Sequence, residues 1–124
     1  MIIIYKNLLI LYLIAVFLMV IAPLGGFSTA LNNITVISFR LDYLLHALMF
    51  LPLMVLWHLG FPHHPLWLIL VGGILIAASM EGLQYLLPYR AYNVNDMLGN
   101  GAGALMGWVF VGLTGFILKK VKQS

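Results

Sequence analysis

Four long apolar runs dominate the chain, and short polar or proline- and glycine-rich segments separate them. The first runs from about Ile2 to Leu24, the second from about Leu44 to Leu59, the third from about Leu66 to Leu87 and the fourth from about Met97 to Leu118. A membrane-spanning helix needs about 20 predominantly apolar residues, so the pattern predicts four transmembrane helices. The breaks are sharp. Pro23, Gly25 and Gly26 close the first run, Gly60, Pro62 and Pro65 part the second from the third, and Pro88 ends the third. The second run is the shortest and holds Pro52, which predicts a kink. Ser28-Thr29-Ala30 loosely fits a signal-peptide cleavage site, but the first apolar run exceeds the 7–15 residues of a signal core. It is therefore read as a retained helix.

Composition supports the same solvent. Of the 124 residues, 64% are hydrophobic and 7% charged, where a soluble domain carries roughly a quarter charged residues. A chain this short cannot hide that much apolar surface from water. The expected class is all-α, an integral membrane four-helix bundle forming one domain over residues 1–124. The net charge of +3 does not point to nucleic acid, because Lys119, Lys120 and Lys122 cluster beside an apolar run, as membrane-surface anchors do. The chain has no cysteine, which excludes disulfide and thiol chemistry. No motif implies a cofactor.

Lysine and arginine set the expected orientation. Lys6 lies near one terminus and three lysines near the other, whereas the linkers on the opposite side hold only Arg40 and Arg90. Both termini are expected in the cytoplasm. Trp57 and Trp67 would then mark the inner interface, and Tyr85, Tyr89 and Tyr92 the outer one.

The few polar side chains fall at helix ends on that outer side. Asp42 and His46 are four apart, Glu81 and Gln84 three apart, and Asp96 and Asn100 four apart, so each pair shares a helix face. All three acids belong to this set. Glu81 is the deepest, about 10 Å along the axis from Pro88. Small residues follow the same faces: Gly73 and Ala77 lead into Glu81 and Gln84, and Gly99, Gly103 and Gly107 form two small-xxx-small steps beside Asn100. Such stripes let membrane helices approach closely.

Each residue has a structural and a functional reading. Asp42 and Asp96 each begin a helix, where the dipole favours an acid. Arg90 either snorkels to lipid phosphate or pairs with Glu81 or Asp96, or holds an anionic ligand. An intramembrane carboxylate such as Glu81 must be protonated, paired or facing water, and Arg90 and His46 are its candidate partners. His46, one turn from Asp42, is either a hydrogen-bonded core histidine or an oriented base. A metal site from Asp42, His46, Glu81 and Asp96 is the weaker alternative, since no metal-spacing motif is present. No serine or threonine accompanies the set, which argues against a triad. His63 and His64 are expected to be solvated in the inner turn and His58 interfacial. The uncharged linker from Gly25 to Phe39 is expected to lie along the outer interface as a lid over the cluster.

Asp42-x-x-x-His46, Glu81-x-x-Gln84, Pro88-x-Arg90, Asp96-x-x-x-Asn100 and Gly103 together resemble the VanZ-like membrane proteins, over roughly Arg40 to Gly107. The chain departs from the family pattern at Tyr43, where lysine is common, at Tyr89, where glycine is common, and at Ala47, where an aromatic is common. The resemblance implies a role in the bacterial cell envelope, since the family's namesake raises resistance to teicoplanin. The leading expectation is a plasma-membrane protein that holds a lipid-linked cell-wall precursor or a lipoglycopeptide. Its ligand-binding residues would be Asp42, His46, Glu81, Gln84, Arg90, Asp96 and Asn100. One alternative is an intramembrane enzyme on a lipid-linked or lipid-phosphate substrate, with His46, Glu81 and Asp96 as candidate catalytic groups. The other is a structural subunit.

Overall fold

The computed structural model describes residues 1–23, 35–36, 39–89 and 94–123. Four helices are present: α1 (Ile2–Ile21), α2 (Leu41–Gly60), α3 (Leu66–Leu86) and α4 (Val94–Gln123). Two short strands, β1 (Thr35–Val36) and β2 (Phe39–Arg40), pair antiparallel just before α2, with Thr35 opposite Arg40 and Val36 opposite Phe39. The rest of the linker read as a lid lies outside the described residues. All four helices are long and apolar enough to cross a membrane, and the fold is an all-α membrane bundle.

Helix ends follow local chemistry. α1 stops at Ile21 rather than near Leu24, because Ala22 is extended (φ −64°, ψ 139°) ahead of Pro23. α3 stops at Leu86 for the same reason, with Leu87 extended (φ −93°, ψ 117°) ahead of Pro88. The proline ring disfavours a helical residue before it. α2 and α4 begin three residues earlier than their apolar runs, at Leu41 and Val94, so Asp42 and Asp96 sit in first turns. Carboxylates there complement the helix dipole, and a criterion based on apolar runs misses such turns. α4 also extends to Gln123, with Lys120 and Lys122 in its last turn. Its 30 residues span about 45 Å, longer than a hydrocarbon core of about 30 Å.

α2 continues through Pro52. In that stretch the Met49 carbonyl accepts a hydrogen bond from the Tyr12 hydroxyl of α1 at 2.6 Å. The bond satisfies a phenol that would otherwise sit dry among helices, and it ties α1 to α2 beside the stripe of Leu9, Val16 and Val20. At the other end of α1, the Tyr89 hydroxyl donates to the Ile21 carbonyl at 2.7 Å. Ser79 and Thr114 return their hydroxyls to carbonyls one turn back, Leu75 and Phe110, so neither faces lipid with a bare polar group.

The closest helix pair is α2 with α4. A Cβ added at Gly103 would overlap the Ala47 backbone, with Ala47 Cα and carbonyl carbon each 2.7 Å away. One at Gly107 would stand 2.8 Å from Met54 Cβ, and one at Gly99 3.1 Å from the Tyr43 carbonyl. All three glycines therefore face α2. Phe50, Leu53, Met54, Ile69, Ala77 and Ala104 fill the core between α2, α3 and α4. Most remaining large apolar side chains are exposed, as lipid requires.

This packing separates glycines that are needed from glycines that are not. Gly103→Ala forces the α2 and α4 backbones apart and is expected to cost about 1–3 kcal/mol, the usual range for overpacking. Nothing lies within 4 Å of a Cβ at Gly82 or Gly101. Alanine there is expected to be neutral or to stabilise by about 0.5–1 kcal/mol, the helix cost of glycine. Thermal unfolding in detergent measures all three, and equal losses would contradict the close approach at Gly103.

Candidate functional site

The start of α2, the end of α3 and the start of α4 meet at one end of the bundle. Glu81 is five residues before the end of α3, hence about 7.5 Å inside it. Asp96 is in the first turn of α4 and Asn100 one turn further in. His46 lies one turn into α2. Glu81 and Asn100 are each 1% exposed and Gln84 is 4% exposed.

Asn100 is the junction. Its Nδ2 donates to Glu81 Oε1 at 3.1 Å, and its Oδ1 lies 2.9 Å from His46 Nδ1. An amide oxygen only accepts, so Nδ1 of His46 must carry the proton and donate. The other ring nitrogen, Nε2, faces α4. That nitrogen is 3.9 Å from Asp96 Oδ2, with side chains 22% and 13% exposed respectively, a separation too long for a direct hydrogen bond. A polar chain thus runs from the buried Glu81 through Asn100 and His46 towards Asp96, across three helices. A neighbouring hydrogen bond, from Asn95 Nδ2 to the Tyr43 hydroxyl at 3.2 Å, also joins α4 to α2.

The two partners named for Glu81 were Arg90 and His46. Among the described residues, Asn100 links it to His46; Arg90 lies outside the described residues. Asp42 belongs to the first turn of α2, but its side chain is likewise outside the described ones. Gln84 is buried on the same face of α3, yet among the described residues no hydrogen bond links its side chain to the other members. Nor, among the described residues, do three histidine, aspartate or glutamate side chains converge as a metal site would require. The sequence reading missed the Tyr43–Asn95 link. Its signal was present, since each residue adjoins an acid already singled out.

A groove of about 320 Å³ between α3 and α4 runs past Glu81, lined also by Ala78, Gly82, Tyr85 and Met97. The opposite end of the bundle is differently built. Trp57 Nε1 donates to His64 Nδ1 at 3.1 Å, and His64 stacks on Phe61 with ring centroids 4.9 Å apart. Lys6 Nζ lies 4.7 Å from the Phe61 ring centre. His64 is therefore half-buried and engaged rather than solvated, while His63 is exposed as expected. Trp67 is exposed and Trp57 half-buried at this end. Tyr85 and Tyr89 are exposed at the polar end; Tyr92 lies outside the described residues.

The model of the VanZ/LLP1 family matches residues 8–115. The chain belongs to the VanZ/LLP1 family. The match takes in α2 and α3 whole, most of α1 and α4, and every member of the polar chain. No curated protein and no solved structure matches the chain. As a member of the VanZ/LLP1 family with four membrane-length helices, it is a multi-pass membrane protein.

Asn100 and Glu81 should respond differently to substitution. Asn100→Ala removes a donor from a buried carboxylate and an acceptor from His46, and is expected to cost about 3 kcal/mol. Glu81→Gln keeps an oxygen for the Asn100 amide and is expected to cost less than about 1 kcal/mol. Thermal unfolding in detergent provides the comparison. A Glu81→Gln loss as large as that of Asn100→Ala would mean that charge, not the hydrogen bond, holds the helices together.

Proposed function

We propose that this VanZ/LLP1 member is a bacterial plasma-membrane protein with both termini in the cytoplasm, and that its polar chain binds an amphiphile of the outer leaflet. The orientation rests on Lys6, Lys119, Lys120 and Lys122 at the end opposite the polar chain. The ligand class is a lipid-linked cell-wall precursor or a lipoglycopeptide of the teicoplanin type. Its binding residues are His46, Glu81, Asp96 and Asn100, joined by Asp42, Gln84 and Arg90 from the family pattern.

The observation that carries this reading is the graded burial of the chain. Glu81 and Asn100 are sealed at 1% exposure, while His46 and Asp96 stay open at 22% and 13%. A helix staple needs no open edge. Binding sites instead combine an apolar wall with a few convergent polar groups. Room for alkyl chains exists in the groove along Glu81 and, further along the bundle, in an apolar groove of about 430 Å³ between α2 and α4, lined by Leu51, Leu105, Met106, Val109, Phe110 and Leu113.

The enzyme reading has one specific support. With Nδ1 donating to Asn100, His46 has its second ring nitrogen, on a side chain 22% exposed, to serve as a general base. A lipid-linked substrate would bring the group to be deprotonated.

Glu81→Gln separates site from scaffold. An ionised carboxylate only accepts and would hold the Asn100 amide in one orientation, whereas a glutamine both donates and accepts and carries no charge. The variant is expected to remain folded in detergent but to lose the copurifying amphiphile, read by mass spectrometry, and any effect on teicoplanin susceptibility. Unchanged lipid content and susceptibility, with a lowered melting temperature, would leave only the structural role.

A further inference from the structure

α4 outruns the rest of the bundle at the end opposite the polar chain. The exposed Trp67 and Tyr85 of α3 mark the two membrane interfaces. They stand about 27 Å apart along the helix, close to the hydrocarbon thickness of about 30 Å. Trp108 Nε1 donates to the Leu66 carbonyl at 3.0 Å, and a Cβ at Gly112 would meet Leu66 Cδ1 at 3.8 Å. α4 therefore passes the Trp67 interface near Gly112. Val111 is its last buried residue, yet the helix runs on to Gln123, about 16 Å further. In this overhang Leu113, Ile117, Leu118 and Val121 share one face, and Lys119, Lys122 and Gln123 share the other. Both faces are exposed. A straight overhang along the membrane normal would leave the apolar stripe in water. It would also carry Lys122 about 15 Å past the interface, beyond a head-group layer about 5–8 Å deep. The helix has a place to bend. Gly112 and Gly115 flank Thr114, whose hydroxyl bonds to the carbonyls of both Phe110 and Val111 at 3.0 Å. Helices kink at glycines and at back-bonded threonines, and among the described residues nothing lies within 4 Å of a Cβ at Gly115 to hold it straight.

We propose that the end of α4 beyond Gly115 lies down on the adjacent membrane surface and binds anionic phospholipid head groups. Ile117, Leu118 and Val121 enter the acyl boundary, and Lys119 and Lys122 reach the phosphates. Charge selects an anionic occupant. The three acidic side chains of the protein, Asp42, Glu81 and Asp96, all belong to the opposite end. Lys6 adds a further cation here, since its backbone nitrogen is 3.3 Å from a Cβ built at Gly60, the last residue of α2. Continuity selects a membrane over an acidic protein. The apolar stripe starts at Leu113, beside the interface that α4 has just left, so a bend at Gly112–Gly115 carries the stripe straight back into apolar surroundings. A helix with one apolar and one basic face takes this in-plane position on anionic bilayers, and the attraction to their surface charge falls off within a Debye length. The surface is separate from the polar chain and independent of what that chain binds.

The chain has no cysteine, so Val121→Cys carries a single environment-sensitive fluorophore on the full-length protein. The labelled protein is placed, one chain per disc, in nanodiscs of phosphatidylcholine alone or of phosphatidylcholine and phosphatidylglycerol in equal parts. Shielding of the label is read by acrylamide quenching. Quenching is expected to be about threefold weaker with phosphatidylglycerol present, and to recover at 1 M salt, where the Debye length falls to about 3 Å. Lys119→Gln combined with Lys122→Gln is expected to abolish the difference between the two discs. Both substitutions lie in the exposed overhang, and the comparison of lipids needs neither of them. Equal quenching in the two discs overturns the inference: a label open in both leaves the stripe to a soluble partner, and a label shielded in both leaves apolar contact without head-group selection. Shielding that appears only in discs holding two chains assigns the stripe to a second copy and overturns it too. A difference between discs that survives the double lysine substitution overturns the assignment to Lys119 and Lys122.

Discussion

A carboxylate placed inside a bundle of apolar helices has to be satisfied by its neighbours, and the arrangement at Glu81 depends on this constraint. Leaving a charged group unsolvated near the bilayer centre costs roughly 2.5–3.5 kcal/mol on insertion scales. Glu81 is 1% exposed, and Asn100 reaches it from α4 with an amide N–H. With its amide N–H on Glu81 and its oxygen on His46, Asn100 accepts from Nδ1 of His46 on α2. The chain that starts at this buried acid spans three helices and ends at the partly exposed His46 and Asp96.

That chain requires α2 and α4 to lie unusually close, and the glycines of α4 make this possible. Gly99, Gly103 and Gly107 all face α2, and at Gly103 the Ala47 backbone occupies the place of a side chain. Each glycine costs a helix about 0.5–1 kcal/mol. The return is twofold: dispersion contact along the interface, and a side chain of Asn100 that reaches both Glu81 and His46. Packing and polar chemistry are therefore one feature here, because a wider α2–α4 spacing would break the His46–Asn100 bond and return Nδ1 to lipid or water.

Much of this was legible in the sequence, and the rest was not for physical reasons. Four apolar runs and their prolines gave four helices, since length and hydropathy govern insertion. The helix ends at Leu41, Val94 and Gln123 were missed because charged first and last turns are favoured by the dipole yet interrupt an apolar run. The meeting of His46, Glu81, Asp96 and Asn100 was readable from spacing, since i, i+3 and i, i+4 pairs share a face. The role of Asn100 was not. Spacing places a residue on a face but does not say which of two candidate partners reaches it, and charge alone suggested Arg90 or His46 for Glu81. Only the geometry of an amide with distinct donor and acceptor ends shows that it stands between them. The engaged state of His64 was hidden similarly, because its partners Trp57 and Phe61 lie across a turn whose path the sequence does not fix.

The polarity of the chain is open to direct measurement. Long-range proton–nitrogen NMR on the detergent-solubilised protein, with histidine ring nitrogens labelled and His46→Gln used to assign its signals, distinguishes a protonated ring nitrogen from one bearing a lone pair. With the Glu81–Asn100–His46 order described above, the expected spectrum has a protonated Nδ1 at His46, and this fixed assignment is lost in Glu81→Gln as the Asn100 amide becomes free to turn. A His46 ring protonated at Nε2 with a lone pair at Nδ1 would contradict it, for Asn100 would then be donating to His46 and the chain would run the other way.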